Sequence, residues 1–166
     1  MSLTTYPIGP FSAIYVGLVG QASALTLLAS VRTGGADFTE NLPTEYIPSL
    51  DAPVQVGNHT ADMQTTFIGS SDEITCIVRG LPLGSDINAN IGQTQYAMLF
   101  IGPGLSDNYY FPQVRVEKKY TRRYNKSSPV TTPVIITAEK RDATTTIFTK
   151  GNLAKMQSVM GSQYPL

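Results

Sequence analysis

The sequence is poor in the residue types that most often carry chemistry. Of 166 residues, one is cysteine and one is histidine. The lone Cys76 excludes an intrachain disulfide and a cysteine-based metal centre. Its neighbours Ile74, Thr75, Ile77 and Val78 predict a buried strand position for it. The lone His59 leaves a histidine-based metal centre short of ligands. It would also have to serve any Ser-His-Asp triad, and no Gly-x-Ser-x-Gly elbow is present. Gly57, Asn58 and Thr60 around it read as a turn, so an exposed or locally bonded loop histidine is expected.

Other absences narrow the field further. Neither a Gly-x-x-x-x-Gly-Lys-Ser/Thr loop nor a Gly-x-Gly-x-x-Gly fingerprint occurs. Asp72-Glu73 is the only adjacent carboxylate pair, and carboxylate catalysis needs two such groups with separated pKa values in a cleft. The expected place for this pair is a solvated hairpin tip. No enzyme activity, catalytic residue, cofactor or metal is therefore expected; convergence of Asp72, Glu73 and His59 in one cleft would reverse that. No apolar run approaches the ~18 residues of a membrane span, so no membrane partner is expected. Phe11 to Gly20 followed by Ala22-Ser23-Ala24 imitates a signal peptide. It lacks a preceding Lys or Arg and is interrupted by Pro7 and Pro10, so it reads as structure. Asn58-His59-Thr60 and Asn125-Lys126-Ser127 fit the weak glycosylation pattern.

Charge is also scarce, at 14% of residues against about 25% in a typical domain. Thr, Ser, Gly and Pro fill the gap, which is the composition of a β protein with a neutral polar surface or one covered by partners. The length suits a single domain spanning residues 1–166. The few charges are unevenly placed. Up to Tyr110 there are nine acidic and two basic residues, a net of −7; from Phe111 onward there are ten basic and three acidic, a net of +7. A basic surface on one copy meeting an acidic surface on the next would make a heterologous contact of the kind that generates rings or filaments.

Period-two patterning predicts strands at 13–19 and 24–31, the second with Leu25, Leu27, Ala29 and Val31 on one face. Ser2 to Pro10 reads as an extended arm. Arg32 to Gly57, broken by Gly34, Gly35, Pro43, Pro48 and Pro53, reads as a long loop or projecting arm. Its apolar Phe38, Leu42, Tyr46, Ile47 and Leu50 favour docking, and its carboxylates Asp37, Glu40, Glu45 and Asp51 give the acidic side of the expected contact. Residues 63–68 and 73–79 read as a hairpin, and Ser85 as a cap on a short helix over 86–91. Gln95 to Ile101 is apolar on both faces, as a central strand would be. Thr144 to Thr149 reads as a strand. Asn152 is a good N-cap for a helix over 153–160 closed by Gly161, with Leu153, Met156 and Met160 inward.

The densest feature lies between strands expected near Val114–Val116 and Val134–Thr137. Lys118, Lys119, Arg122, Arg123 and Lys126 crowd there, with Tyr120 and Tyr124 interleaved. Pro129 and Pro133 place the start of the return strand near Val134 or put it at an edge. Three readings stay open for this basic hairpin: a solvated face, an intersubunit contact with the acidic half, or nucleic-acid binding by charge and stacking.

The arm, the long loop, the Thr-rich strands, the charged hairpin and the missing catalytic residues together resemble a virion structural protein of a tailed bacteriophage, most like a tail tube protein. The resemblance covers most of the chain in style and carries no diagnostic motif. It implies a mainly β, antiparallel sandwich or barrel with one or two short helices. It also implies hexameric rings stacked head to tail around a lumen that passes DNA without gripping it, partners among the other virion proteins, and a place in the virion. A capsid decoration protein is the alternative of the same style; a nucleic-acid-binding module is the alternative of another class.

Overall fold

Tyr96–Ile101 carries no polar group on its side chains except the Tyr96 hydroxyl, and a strand of that composition needs cover on both faces. It has that cover. In the computed structural model all six residues are buried, with Tyr96, Met98 and Phe100 in one apolar cluster and Ala97, Leu99 and Ile101 in a second. The structure describes residues 2–8, 11, 13–28, 32–42, 44–55, 59–68, 72–86, 92, 94–102, 105, 107–116, 123–125, 128–139 and 146–166.

In chain order the strands are β1 (Ser2–Ile8), β2 (Ala13–Leu18), β3 (Thr26–Leu27), β4 (Arg32–Leu42), β5 (Thr44–Ile47), β6 (Ala52–Gln55), β7 (Thr60–Ile68), β8 (Tyr96–Ile101), β9 (Asn108–Val116), β10 (Arg123–Asn125), β11 (Ser128–Ala138) and β12 (Thr149–Gly151). Helix α1 (Asp72–Arg79) lies between β7 and β8, and α2 (Leu153–Met160) follows β12. Ten strands join one antiparallel sheet in the order β1-β4-β7-β11-β9-β8-β2-β3, with β10 on β11 and β12 on β9; β5 and β6 form a separate pair. The mainly β, antiparallel architecture with two short helices is as expected.

The sheet curls back on itself. Strands β4 and β9 lie three steps apart in the order, which in a flat sheet would be about 14 Å at a spacing of about 4.8 Å. Yet the Phe38 ring of β4 is 5.5 Å from that of Tyr109 on β9 and 6.3 Å from Phe111. A core row runs across four strands, Phe38, Met63, Ile136 and Val116, in direct register. It faces Phe11, Phe100 and the helix residues Ile74, Ile77 and Val78. The second cluster lies on the other side of β8, where Met156 and Met160 of α2 cover Leu99 and Tyr110. Tyr110 Oη donates to Gln163 Oε1 at 2.6 Å, and Gln163 Nε2 donates to the Gln21 carbonyl at 3.0 Å, tying the C-terminal turn to the β2–β3 end of the sheet.

Helix α2 ends as its sequence dictates. Asn152 Oδ1 accepts from the Lys155 amide at 3.0 Å, and Gly161 closes the helix at φ 58°. Helix α1 corrects the expected second strand of a hairpin. The alternation over 73–79 had one exception, Ile77, and that exception belongs to a helical set: Ile74, Ile77 and Val78 share one face in the core. Asp72 and Glu73 in the first turn and Arg79 in the last suit the helix dipole. Gly80 at φ 70° lets the Leu81 amide reach the Cys76 carbonyl (2.9 Å) and its own amide reach Ile77 (3.1 Å), a Schellman closure. Cys76 is buried as expected, but on a helix.

Other expectations change too. The loop expected over 32–57 is the eleven-residue strand β4 followed by the hairpin β5–β6. The extended N-terminal arm is β1, paired antiparallel along β4. Of the strand expected over 24–31, Thr26–Leu27 form β3 and residues 29–31 lie outside the described residues; its faces differ from those expected, with Leu25 and Leu28 buried and Leu27 exposed. The return strand β11 begins at Ser128, includes Pro129 and Pro133, and lies inside the sheet against β7. Within that strand Pro133 stands opposite Thr66 of β7. Near the C-terminus, residues 146–148 precede β12 outside any strand. The helix expected over 86–91 falls almost wholly outside the described residues.

Candidate assembly surface

Residues that alternate with the core row form a second face. Thr39, Asp62, Thr137 and Arg115 stand in register across β4, β7, β11 and β9. Beside them run Asp37, Gln64 and Ile135, then Asn41 and Thr60. Strand sterics favour β-branched Thr here, and a polar row is what a sheet face carries when no helix packs on it. Its charges are Asp37, which is exposed, and the half-buried Asp62, with Arg115 at the β9 end. Arg115 Nε lies 3.1 Å from Glu139 Oε1, whose Oε2 accepts from Gln95 Nε2 at 2.5 Å and Gln113 Nε2 at 3.3 Å. Half-exposed as it is, that ion pair adds little stability, but it commits Arg115 to its own chain.

The hairpin β5–β6 extends the acidic side. Tyr46 pairs with Pro53 and Ile47 with Ala52, and the turn is closed by Leu50 and Asp51 amides on the Ile47 and Pro48 carbonyls. Asp51 sits at φ 49°, a left-handed conformation that Asp tolerates at turns. Tyr46 Oη donates to Asp51 Oδ1, and that bond, followed by slight desolvation, raises the Tyr46 pKa above its ordinary value. The tip is apolar and open: Tyr46 is 57% and Leu50 63% exposed. A two-stranded hairpin is marginal alone in water, and this one leaves Tyr46 and Leu50 in solvent.

Of the acidic residues predicted from sequence, Asp37 lies on the polar face, Glu45 is exposed on β5, and Asp51 is at the hairpin tip. Glu40 is partly buried and already engaged, its Oε1 2.6 Å from His59 Nε2. His59 is therefore not a free loop residue; it clamps the end of β4 from nineteen residues away and packs edge-on against Phe148. On the basic side, Arg123 opens β10 opposite Thr131, while Lys118, Lys119, Arg122 and Lys126 lie outside the described residues. Sequence reasoning missed the hairpin. Its signal was Pro48-Ser49-Leu50-Asp51, a run of turn-forming residues between two short segments that carry β-branched Thr44, Ile47 and Val54.

Asp72 and Glu73 form the first turn of α1, not a hairpin tip, and among the described residues no three His, Cys, Asp or Glu side chains gather to hold a metal. A cavity of about 210 Å³ is lined by Val16, Gly17, Leu18, Gln21, Thr26, Pro82, Leu83 and Tyr96. Tyr96 is the one ionisable side chain there. Burial pushes its pKa well up, and its hydroxyl is already spent on the Leu81 carbonyl at 2.6 Å. Among the described residues no helix is long and apolar enough to cross a membrane. No protein-family model matches the chain, and no curated protein matches it.

Proposed function

We propose that the chain is a self-assembling structural subunit of a tailed-phage virion, a tail tube protein whose rings stack head to tail around a passage for DNA. The observation that carries this reading is the hairpin β5–β6, a separate two-stranded sheet with an exposed Tyr46–Leu50 tip flanked by Glu45 and Asp51. A partner that covers this tip gains apolar burial, and the net +7 of the residues from Phe111 onward offers charge opposite to its own. The polar face bearing Asp37 and Asp62 suits a passage for a polyanion, because like charges keep the strand from sticking.

Particle size tests the reading. The purified chain should give rings or tubes by negative-stain microscopy and a matching mass by light scattering. Replacing Lys118, Lys119, Arg122 and Arg123 with Glu should abolish those particles while circular dichroism and melting stay as in the parent. Intact assembly with only DNA affinity lost would instead make the basic hairpin a nucleic-acid-binding element and end the tube reading.

A further inference from the structure

The cavity of about 210 Å³ lies between the β2–β3 end of the sheet and the segment that follows α1, and it shares no residue with the hairpin β5–β6 or the polar face. Its back wall is one sheet face. Val16 pairs with Thr26 and Leu18 with Tyr96, and direct partners share a face with each other and with alternate residues. Val16 and Tyr96 belong to the first core cluster, and Leu83 on the facing segment packs against it. Leu18, Thr26 and Pro82 are exposed and mark the mouth. The cavity is thus an opening into the edge of the core, and it leaves Leu18 46% exposed.

Both sides of it are held in place within the chain. Tyr96 Oη donates to the Leu81 carbonyl at 2.6 Å and the Ser85 amide to the Pro82 carbonyl at 3.1 Å, which fixes the Pro82–Leu83 side. Opposite, Gln21 Oε1 accepts from the Leu18 amide at 2.9 Å, while its Nε2 donates to the Ser23 and Ala24 carbonyls at 3.1 and 3.0 Å. Gly17 makes room for that amide, since a Cβ there would lie 2.6 Å from Gln21 Oε1. Walls already held this way lose little freedom when a ligand enters.

The same bonds set the chemistry of the site. Tyr96 has no second proton to donate, and both Nε2 hydrogens of Gln21 are used. No Asp, Glu, Lys, Arg or His lines the cavity. A charged ligand would lose its hydration there and find no counter-charge, so the fitting ligand is neutral. An apolar cavity of about 150 Å³ holds a benzene molecule, so this one has room for a single ring with a small substituent. The Thr26 hydroxyl at the mouth gives that substituent a hydrogen-bonding partner.

We propose that this cavity binds a small neutral ring compound carrying one hydroxyl, of the phenol or cyclic-alcohol class. The ring lies on Val16, Leu83 and Tyr96, the hydroxyl meets Thr26, and the exposed part of Leu18 is covered. Binding there needs no second copy of the chain.

Phenol titrated into the isotope-labelled full chain should shift the methyl resonances of Val16, Leu18 and Leu83 saturably in the millimolar range. Those of Ile135 on the polar face and Val159 on α2 should stay in place. Benzoate, a ring of similar size with a charge, should shift none of them. Thr26→Val keeps the side-chain shape without the hydroxyl; it should weaken phenol binding by roughly two- to tenfold, the worth of one net hydrogen bond, and leave toluene binding unchanged. Thr26→Phe should fill the cavity from its mouth and abolish binding of both, with the melting temperature unchanged. Absence of saturable shifts with phenol overturns the proposal, as do equal shifts from benzoate or shifts spread over Ile135 and Val159. Phenol binding to Thr26→Val as tight as to the parent overturns the assignment of a hydroxyl to the ligand. The parent titration decides the case in which Thr26→Phe fails to fold.

Discussion

The strip formed by β8 and β9 and the hairpin β5–β6 are both antiparallel pairs, yet they do opposite things. The strip is closed to water: every residue of β8 is buried and β9 exposes only Arg115. Aromatic rings from Phe11, Phe100, Tyr109 and Phe111 interlock across it, with centroids 4.9 to 6.3 Å apart. The hairpin shares no sheet with it and leaves its largest side chains in solvent. Folding free energy is concentrated where apolar area is buried. The exposed apolar side chains Tyr46 and Leu50 lie where it is not. Buried area and exposed apolar area thus lie in separate parts of the chain, so a substitution in one should leave the other little changed.

The largest expected effect falls on the strip. Phe100→Ala removes a fully buried ring that touches Phe11 and Phe111, and should cost about 3–5 kcal/mol in urea unfolding. A loss below about 1 kcal/mol would mean that the strip does not hold the core. A smaller cost is expected for Tyr96→Phe, which keeps the ring but leaves the buried Leu81 carbonyl without its donor. The same unfolding measurement should show about 1–3 kcal/mol. The smallest effect on stability, and the largest on assembly, belongs to Leu50→Asp at the hairpin tip. Unfolding should move by no more than about 0.5 kcal/mol, as for most exposed sites, while the scattering mass falls to that of the monomer. Equal loss of stability at Leu50 and Phe100 would erase the contrast between the two regions.

Much of the strip was legible in the sequence. A six-residue run that is apolar on both faces has few solutions other than a covered strand, and β8 is that strand. Helix α2 was legible because both its ends carry caps that act locally, Asn152 and Gly161, and its inward Met156 and Met160 are spaced by one turn. Helix α1 was misread. Its β-branched Ile74, Thr75, Ile77 and Val78 carry strand propensity, and the signals that overrule them, Asp72-Glu73 at the start and Gly80 at the end, are weak until the core supplies cover. Residues 32–57 were misread for a related reason. Gly34 and Gly35 look like a break, but the register of β4 with β7 shifts between Thr33 and Ala36 and absorbs them as an irregularity inside one long strand. Of the candidate site, the carboxylates Asp37, Glu45 and Asp51 were visible as charges. Their division between a sheet face and a hairpin was not, and neither was the engagement of Glu40 by His59, since that pair forms only when β4 and β7 align.

Several features could be read from the residues before any fold was known: a β-rich chain with two oppositely charged parts, a doubly buried central strand and a capped C-terminal helix. These follow from alternation, composition and local capping, which act over a few residues. The tertiary structure alone decided that the sheet curls until Phe38 meets Tyr109, that 72–79 is a helix, and that β1 and β3 are the ends of the sheet. Each depends on which strands pair across long stretches of chain, and pairing is settled by the total area a fold can bury rather than by any segment's own preference.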